Sequence, residues 1–432
     1  MAGKFTTPQW AKNSNIYEVN VRQYTAEGTL QAFATHLPRL QKMGVEMLWF
    51  MPLTPISELG RQGSLGSYYA CSHYTSIDPD YGTIADLKEV VQKAHDLGMR
   101  VLVDIVANHT GCDHAWTKEY PEFYIKNADG LMYDKHGWID VYDLDYTNTA
   151  LRKAMIGVMK FWKDELGVDG FRCDMAHLVP IDFWETARKE LDTAEPLFWL
   201  AETEEVNYHT VFDASYTWRF LHLMEAVYKG EKNVQDVVKI LKAYAHDFPE
   251  DALRLFFITN HDENSHSGSE YERFGHAVRA FAVLCATASN SIPLIYSGQE
   301  IPNKKKILFF EKDSIDWSGQ CLMEDFYATL LSLRKRNTAL EAGNPSNEML
   351  VIETSEHQNI LAYLRTNQQD AVLVILNLSG KSLLKFQLNT LPKSGLYKSI
   401  WSGLTIHIDD ETAFELQPWE FLVFEKITTS LS

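Results

Sequence analysis

From residue 16 to about residue 340 the chain alternates short β-branched or apolar runs with longer amphipathic segments. That rhythm predicts parallel strands joined by crossover helices. Ile16–Asn20 reads as a first strand. A helix is predicted over about Leu30–Met43, because Phe33, Leu37, Leu40 and Met43 fall three and four apart and Gly44 follows as a stop. Glu46–Met51 predicts the second strand. Thr83-Ile84-Ala85-Asp86 has capping-box spacing and opens a helix running to Gly98, and Arg100–Val106 is the third strand. Further on come a helix over Ala150–Leu166, a strand Val168–Cys173, a helix Ile181–Leu191 and a strand Leu197–Ala201. Val211–Asp213, Arg254–Thr259 and Ile292–Tyr296 complete a set of eight, the number of a closed barrel, and a helix over about Met323–Asn337 follows.

The rhythm breaks twice. Between His109 and Asn148 lie about forty residues rich in His, Asp, Tyr, Trp and Gly, too many for a plain connection. The polar stretch Glu341–Asn347 marks a boundary, and beyond it Asn359–Arg365, Ala371–Leu378, Leu383–Leu388 and Phe421–Glu425 are short strands separated by turn residues. The expectation is an α/β chain: a (β/α)8 TIM barrel over 1–108 and 149–344, an insertion after strand three over 109–148, and a C-terminal antiparallel all-β domain over 345–432.

Composition narrows the function. Asp and Glu number 58 against 40 Lys and Arg, a formal charge of −18, which disfavours nucleic acid as a partner. No apolar run reaches the 18 or more residues of a membrane span, so no integral membrane association is expected. The start, Met1-Ala2-Gly3-Lys4-Phe5, leads into a polar segment without a secretory hydrophobic stretch, so the expected location is cytoplasmic unless a signal has been removed. Five scattered cysteines without a Cys-x-x-Cys pair read as reduced thiols.

In a barrel of this kind chemistry sits at the C-terminal ends of the strands. Four ends carry ionisable groups: Asp104-Ile105-Val106-Ala107-Asn108-His109, Gly170-Phe171-Arg172-Cys173-Asp174, Glu202 after Trp199-Leu200-Ala201, and Asn260-His261-Asp262. Alternation along a strand puts Arg172 and Asp174 on one side and Cys173 on the other. The arginine favours an ionised Asp174, suited to act as a nucleophile. The apolar approach to Glu202 favours a retained proton, the profile of a general acid. Two carboxyl groups pushed to different acidities are the equipment of a glycosidase, while a structural account would make each acid the cap of a following helix.

Taken in order, these four segments resemble the signature regions of the α-amylase family, glycoside hydrolase family 13. The resemblance extends to the architecture and covers essentially the whole chain. It implies Asp174 as nucleophile, Glu202 as acid/base and Asp262 as the third carboxylate, which binds sugar hydroxyls and stabilises the oxocarbenium-like transition state. It implies Arg172 as the residue orienting the nucleophile, His109 and His261 as hydrogen-bonding partners of the sugar in subsite −1, and Asp104 as a structural acid paired with Arg172. Gly66-Ser67-Tyr68-Tyr69 is similar to the segment whose tyrosine, here Tyr69, stacks on that sugar. Trp49, Trp116 and Trp138 are read as core or rim residues.

The resemblance implies a retaining α-glycoside hydrolase cleaving α-1,4 bonds of starch-type glucans or malto-oligosaccharides, with an α-glucan as its partner. Transglycosylation, exo-α-glucosidase action or α-1,6 cleavage are alternatives within the family, and a non-catalytic carbohydrate-binding protein is a further one. Many relatives carry Lys-His three and four residues after the nucleophile, where this chain has His177-Leu178. No cofactor is required by the chemistry and no metal ligand set is assigned. Asn108 and Asp143, the latter in Tyr142-Asp143-Leu144-Asp145, match calcium-binding positions, so a structural Ca2+ is an expectation resting on two candidates. His114, His136 and His177 are too dispersed in the sequence to suggest a metal cluster.

Overall fold

The computed structural model describes residues 5–193 and 195–427. Residues 1–4 and 428–432, at the ends of the expected barrel and C-terminal domain, lie outside the described residues, and with them most of the Met1–Phe5 start.

Eight parallel strands close into a barrel: β1 Ile16–Val19, β2 Met47–Phe50, β3 Arg100–Ile105, β4 Gly170–Cys173, β5 Phe198–Ala201, β6 Ala214–Tyr216, β7 Leu253–Phe256 and β8 Ser291–Tyr296. Each pairs with its sequence neighbours, and β8 closes on β1 through Ile16 opposite Leu294. The strands are buried on both faces, since side chains alternate between the barrel interior and the surrounding helices.

Local chemistry accounts for most boundaries. Thr83 and Asp86 form the reciprocal capping box that opens the helix Ile84–Asp96. Asn148 accepts from Ala150 and Leu151 to open the helix Thr149–Leu166. The expected helix Leu30–Met43 is instead two, Leu30–Ala34 and Leu37–Met43, because Pro38 has no N–H to continue the ladder and sits at the start of the second. Gly44, at φ 94°, ends it. The sixth strand was expected at Val211–Asp213 and lies at Ala214–Tyr216. Pairing to β5 begins only where the Asp213 amide meets the Trp199 carbonyl, and the Asp213 carboxylate is taken by Arg188 and the Trp199 amide. The strand itself, Ala-Ser-Tyr, carries no apolar run that a pattern could register.

The stretch between β3 and β4 contains a short antiparallel pair, His109–Gly111 with Val141–Asp143, so both ends of the insertion are tied at the barrel mouth. Beyond residue 347 the described residues form a six-stranded sheet and a separate pair, Leu384–Gln387 with Ala413–Leu416. Four strands were expected there. Short, half-exposed strands such as Gly395–Ser399 and Thr405–Ile408 lack a continuous apolar signal. Alternation sorts the central strand Ile360–Thr366: Leu361 and Tyr363 pack into the barrel-side core, whereas Ile360, Ala362 and Leu364 build a second core behind. Cys71, Cys112, Cys173 and Cys285 are buried free thiols and Cys321 is half-buried. Among the described residues no helix is long and apolar enough to cross a membrane.

Candidate active site

Arg172, on β4, organises the mouth of the barrel. It is completely buried, and one guanidinium nitrogen lies 3.0 Å from Asp104 and 2.9 Å from Asp174. The other terminal nitrogen lies 2.9 Å from Glu202, and Nε donates to the Tyr216 hydroxyl at 3.2 Å. The Trp49 ring lies 4.9 Å below the charge, and its indole N–H donates to Asp104. Four strands, β3 to β6, thus bring three carboxyl groups onto one planar cation, which suits the fork geometry of arginine.

The residue after Asp174 is strained. Met175 has φ 40°, a left-handed conformation uncommon for a side chain of this size, and its amide donates to Glu202 Oε2 at 2.8 Å. The turn therefore locks the end of β4 against the end of β5. Cys173 points away and is buried in the core, its thiol pushed well above its usual value by burial.

Burial dominates the acidities. It raises Asp174 to about 6 against the pull of Arg172, with Asp104 adding to the rise. Burial raises Glu202 to about 7, again opposed by Arg172 and reinforced by Asp174 and Asp262. Asp104 is held at about 6 by the same balance of burial and Arg172. The sequence reading had Arg172 keeping Asp174 ionised. Its pull is present, but desolvation exceeds it, and what survives is the order: Asp174 is the stronger acid and Glu202 the weaker.

On the opposite wall, Asp262 is the partly exposed carboxylate, at 36%. It opens the five-residue π-helical turn Glu263–Ser267, a backbone form concentrated at functional sites. Its Oδ2 is 3.3 Å from His261 Nε2. Tyr69 stacks on the His261 ring at 5.3 Å, donates to Asp104 at 3.2 Å, and lies 2.7 Å from His261 Nε2. His109 hydrogen-bonds the backbone of Tyr69 and contacts Asn108 and the Trp138 ring at 5.3 Å, and burial pulls it down to about 4, so it is neutral. Six of the seven expected site residues are thus linked through their side chains, and His109 joins them through the Tyr69 backbone. His177 sits exposed on the 3-10 turn Ala176–Leu178, just beyond the end of β4. Trp49 is a buried core residue that reaches the network, Trp116 packs on Tyr74 and Phe123, and Trp138 is a rim residue.

Sequence reasoning passed over Tyr216 and Glu18. Tyr216 belongs to the misplaced sixth strand. Glu18 is a lone acid inside the apolar run Ile16-Tyr17-Glu18-Val19, which is the signal that could have found it.

Among the described residues one trio could hold a metal: Asp134, His136 and Asp143 each bring a donor atom within 4.8 Å of the others. The insertion folds back on itself and so brings His136 to two acids, a grouping that the spacing of the histidines does not show. Calcium, however, takes six to eight oxygens. Here there are two carboxylates and an imidazole, and Asn108 turns its amide nitrogen toward Asp143. The donor set does not fit calcium, and no chemistry is derived through a metal.

A barrel with these paired carboxylates defines a glycosidase-like enzyme. The family model for the alpha amylase catalytic domain matches residues 7–129 and 125–336, and that for the alpha amylase C-terminal all-beta domain matches residues 352–424. The chain belongs to the α-amylase family of glycoside hydrolases. It is 27% identical over 397 residues to alpha-amylase MalA of Haloarcula japonica, covering 87% of this chain and 57% of that protein. It is 27% identical over 439 residues to an alpha-1,4-glucan:maltose-1-phosphate maltosyltransferase of Salinibacter ruber, covering 89% and 62%. The chain therefore spans about three fifths of the length of these two curated relatives. The crystal structure of a maltogenic alpha-amylase, AmyB, from Thermotoga neapolitana superimposes with a TM-score of 0.88 at 27% identity, covering 97% of this chain and all of that one.

Proposed function

We propose that this protein is a retaining α-glycoside hydrolase acting on α-1,4-linked glucans or malto-oligosaccharides. Asp174 attacks the anomeric carbon, and Glu202 first protonates the departing oxygen and then activates water. The observation that carries this reading is the single guanidinium of Arg172, which lies 2.9 Å from each of the two carboxyl groups at the ends of β4 and β5. Asp174 is the one more readily ionised, as a nucleophile must be, and Glu202 the one that keeps its proton, as a leaving-group acid must. Asp262, half-open to the cleft, accepts hydrogen bonds from sugar hydroxyls and stabilises positive charge at the ring in this reading, which its exposure supports. Tyr69 supplies an aromatic face for the sugar.

A second reading, transfer of the glycosyl group to a sugar acceptor instead of water, is favoured by one feature. His177 replaces the basic residue many relatives use on the leaving-group side, so the acceptor side of the cleft differs. The maltosyltransferase among the relatives is consistent with it.

Asp174→Asn and Glu202→Gln should each abolish turnover of maltotriose and longer malto-oligosaccharides while leaving the circular dichroism spectrum intact. A product time course on chains of defined length separates the readings: shorter products alone indicate hydrolysis, whereas products longer than the substrate indicate transfer. Full activity of Asp174→Asn would overturn both.

A further inference from the structure

Glu18 lies in β1 with no solvent exposure, an acid between Tyr17 and Val19 in a barrel strand. Its Oε1 is 2.5 Å from Nδ1 of His261, while Oε2 is buried without a hydrogen-bond partner. The other nitrogen of that imidazole, Nε2, faces the Tyr69 hydroxyl at 2.7 Å and Asp262 Oδ2 at 3.3 Å.

An ionised carboxylate only accepts hydrogen bonds. Burial raises the Glu18 carboxyl while His261 and Arg172 pull it down, and in its ionised form it takes the proton that Nδ1 carries toward it. Nε2 must carry one too, because Asp262 can only accept and the Tyr69 hydroxyl gives its own proton to Asp104. Both nitrogens donate, which makes the ring an imidazolium. The groups facing the pair are Tyr69, Asp104, Arg172, Tyr216, Asp262 and Tyr296, with the Trp49 ring edge-on at 5.9 Å. Burial and Arg172 oppose a charge on His261, but Asp262 and Glu18 outweigh them and raise it to about 9.

We propose that Glu18 is a positioning residue of the active site: its carboxylate holds His261 as an imidazolium whose Nε2–H points at Asp262 and the adjoining sugar subsite. The inference rests on the glycosidase reading for its consequence, but not for the protonation state itself. With a neutral ring, only one nitrogen can donate. If Nδ1 keeps its proton for position 18, Nε2 turns a lone pair toward the Asp262 carboxylate, and the wall of the subsite loses both its donor and its counter-charge. Glu18 touches no substrate, so it acts through His261.

The test uses the full chain with 15N-labelled histidine, the His261 signal being identified by its loss in His261→Gln. In the unaltered protein both ring nitrogens should be protonated at neutral pH, and in Glu18→Gln the ring should titrate at least about one pH unit lower. The variant's kcat should fall roughly 10- to 100-fold with little change in KM, the loss growing as pH rises, and Glu18→Asp should recover part of it. A neutral His261 in the unaltered protein overturns the proposal even if Glu18→Gln does not fold, as does a His261 in Glu18→Gln that titrates at the same pH as in the unaltered protein. Absence of activity on any α-glucan, with His261 charged as stated, would overturn the functional reading and leave the assignment of Glu18 to His261 standing.

Discussion

Replacing Arg172 by methionine withdraws a guanidinium that lies 3.0 Å from Asp104 and 2.9 Å from both Asp174 and Glu202, all within a site of no more than 8% residue exposure. Breaking one buried ion pair by removing one partner costs about 3–5 kcal/mol, because the other charge is left desolvated. Three carboxyl groups share this cation, so their losses are coupled and do not add. The cheapest relief is to take up protons. Arg172 lowers the pKa of all three groups, so its removal raises folded values that burial has already brought to about 6 for Asp104 and Asp174 and about 7 for Glu202. A carboxyl group whose folded value exceeds its unfolded value, near 4, is least harmful below pH 4 and destabilises progressively as pH rises through the folded value. The deficit of Arg172→Met should therefore be about 3–5 kcal/mol at neutral pH and shrink as pH falls from 8 toward 6, by up to ~1.4 kcal/mol per pH unit for each proton the variant holds and the unaltered protein has released, then level off below 6 where both hold it. Urea unfolding of both proteins across that range measures it. A constant deficit, or one that grows on acidification, would refute the electrostatic account of the site.

The unaltered enzyme should show a bell-shaped kcat/KM profile. Its acid limb reports ionisation of Asp174 near 6 and its basic limb the loss of the Glu202 proton near 7; activity undiminished at pH 9 would contradict the assignment. Tyr69→Phe keeps the ring and loses the hydroxyl shared by Asp104 and His261, so kcat/KM should fall about 10-fold, less than for Tyr69→Ala; equal losses would remove the stacking role. Because the trio of Asp134, His136 and Asp143 does not make a calcium shell, a chelator should change turnover less than about twofold; calcium-restored activity after chelation would contradict this. Thr83→Ala removes half of a capping box and should cost about 1 kcal/mol in urea unfolding without touching turnover.

The barrel was legible where its physics is local and periodic. The capping box at Thr83 and the stop at Gly44 are encoded in residues next to where they act. What escaped the pattern was set by distant partners. β6 is three small or polar residues held by Leu200, Ala201 and Leu253 opposite, and nothing in Ala-Ser-Tyr announces it. Pro38 breaks the helix locally, but the three-and-four spacing of Phe33, Leu37, Leu40 and Met43 runs across the break and hides it. In the site, the four strand-end segments led to residues that do meet, because a parallel barrel delivers every strand end to one face. The acidities were less legible: an arginine two residues away is visible in sequence, but the desolvation that outweighs it depends on the whole barrel closing over Asp174. The Glu18–His261 pair is likewise a product of closure, joining residues 243 positions apart, whereas the trio in the insertion comes from a local fold-back.

The central claim, that Asp174 forms a covalent glycosyl-enzyme which Glu202 then helps water to cleave, fixes the stereochemistry of the product. Proton NMR of maltotriose or a longer malto-oligosaccharide, recorded from the first moments of reaction and before mutarotation, reads it directly. Two displacements at the anomeric carbon predict the α-anomer first. Initial appearance of the β-anomer would mean a single displacement by water and would contradict the role assigned to Asp174.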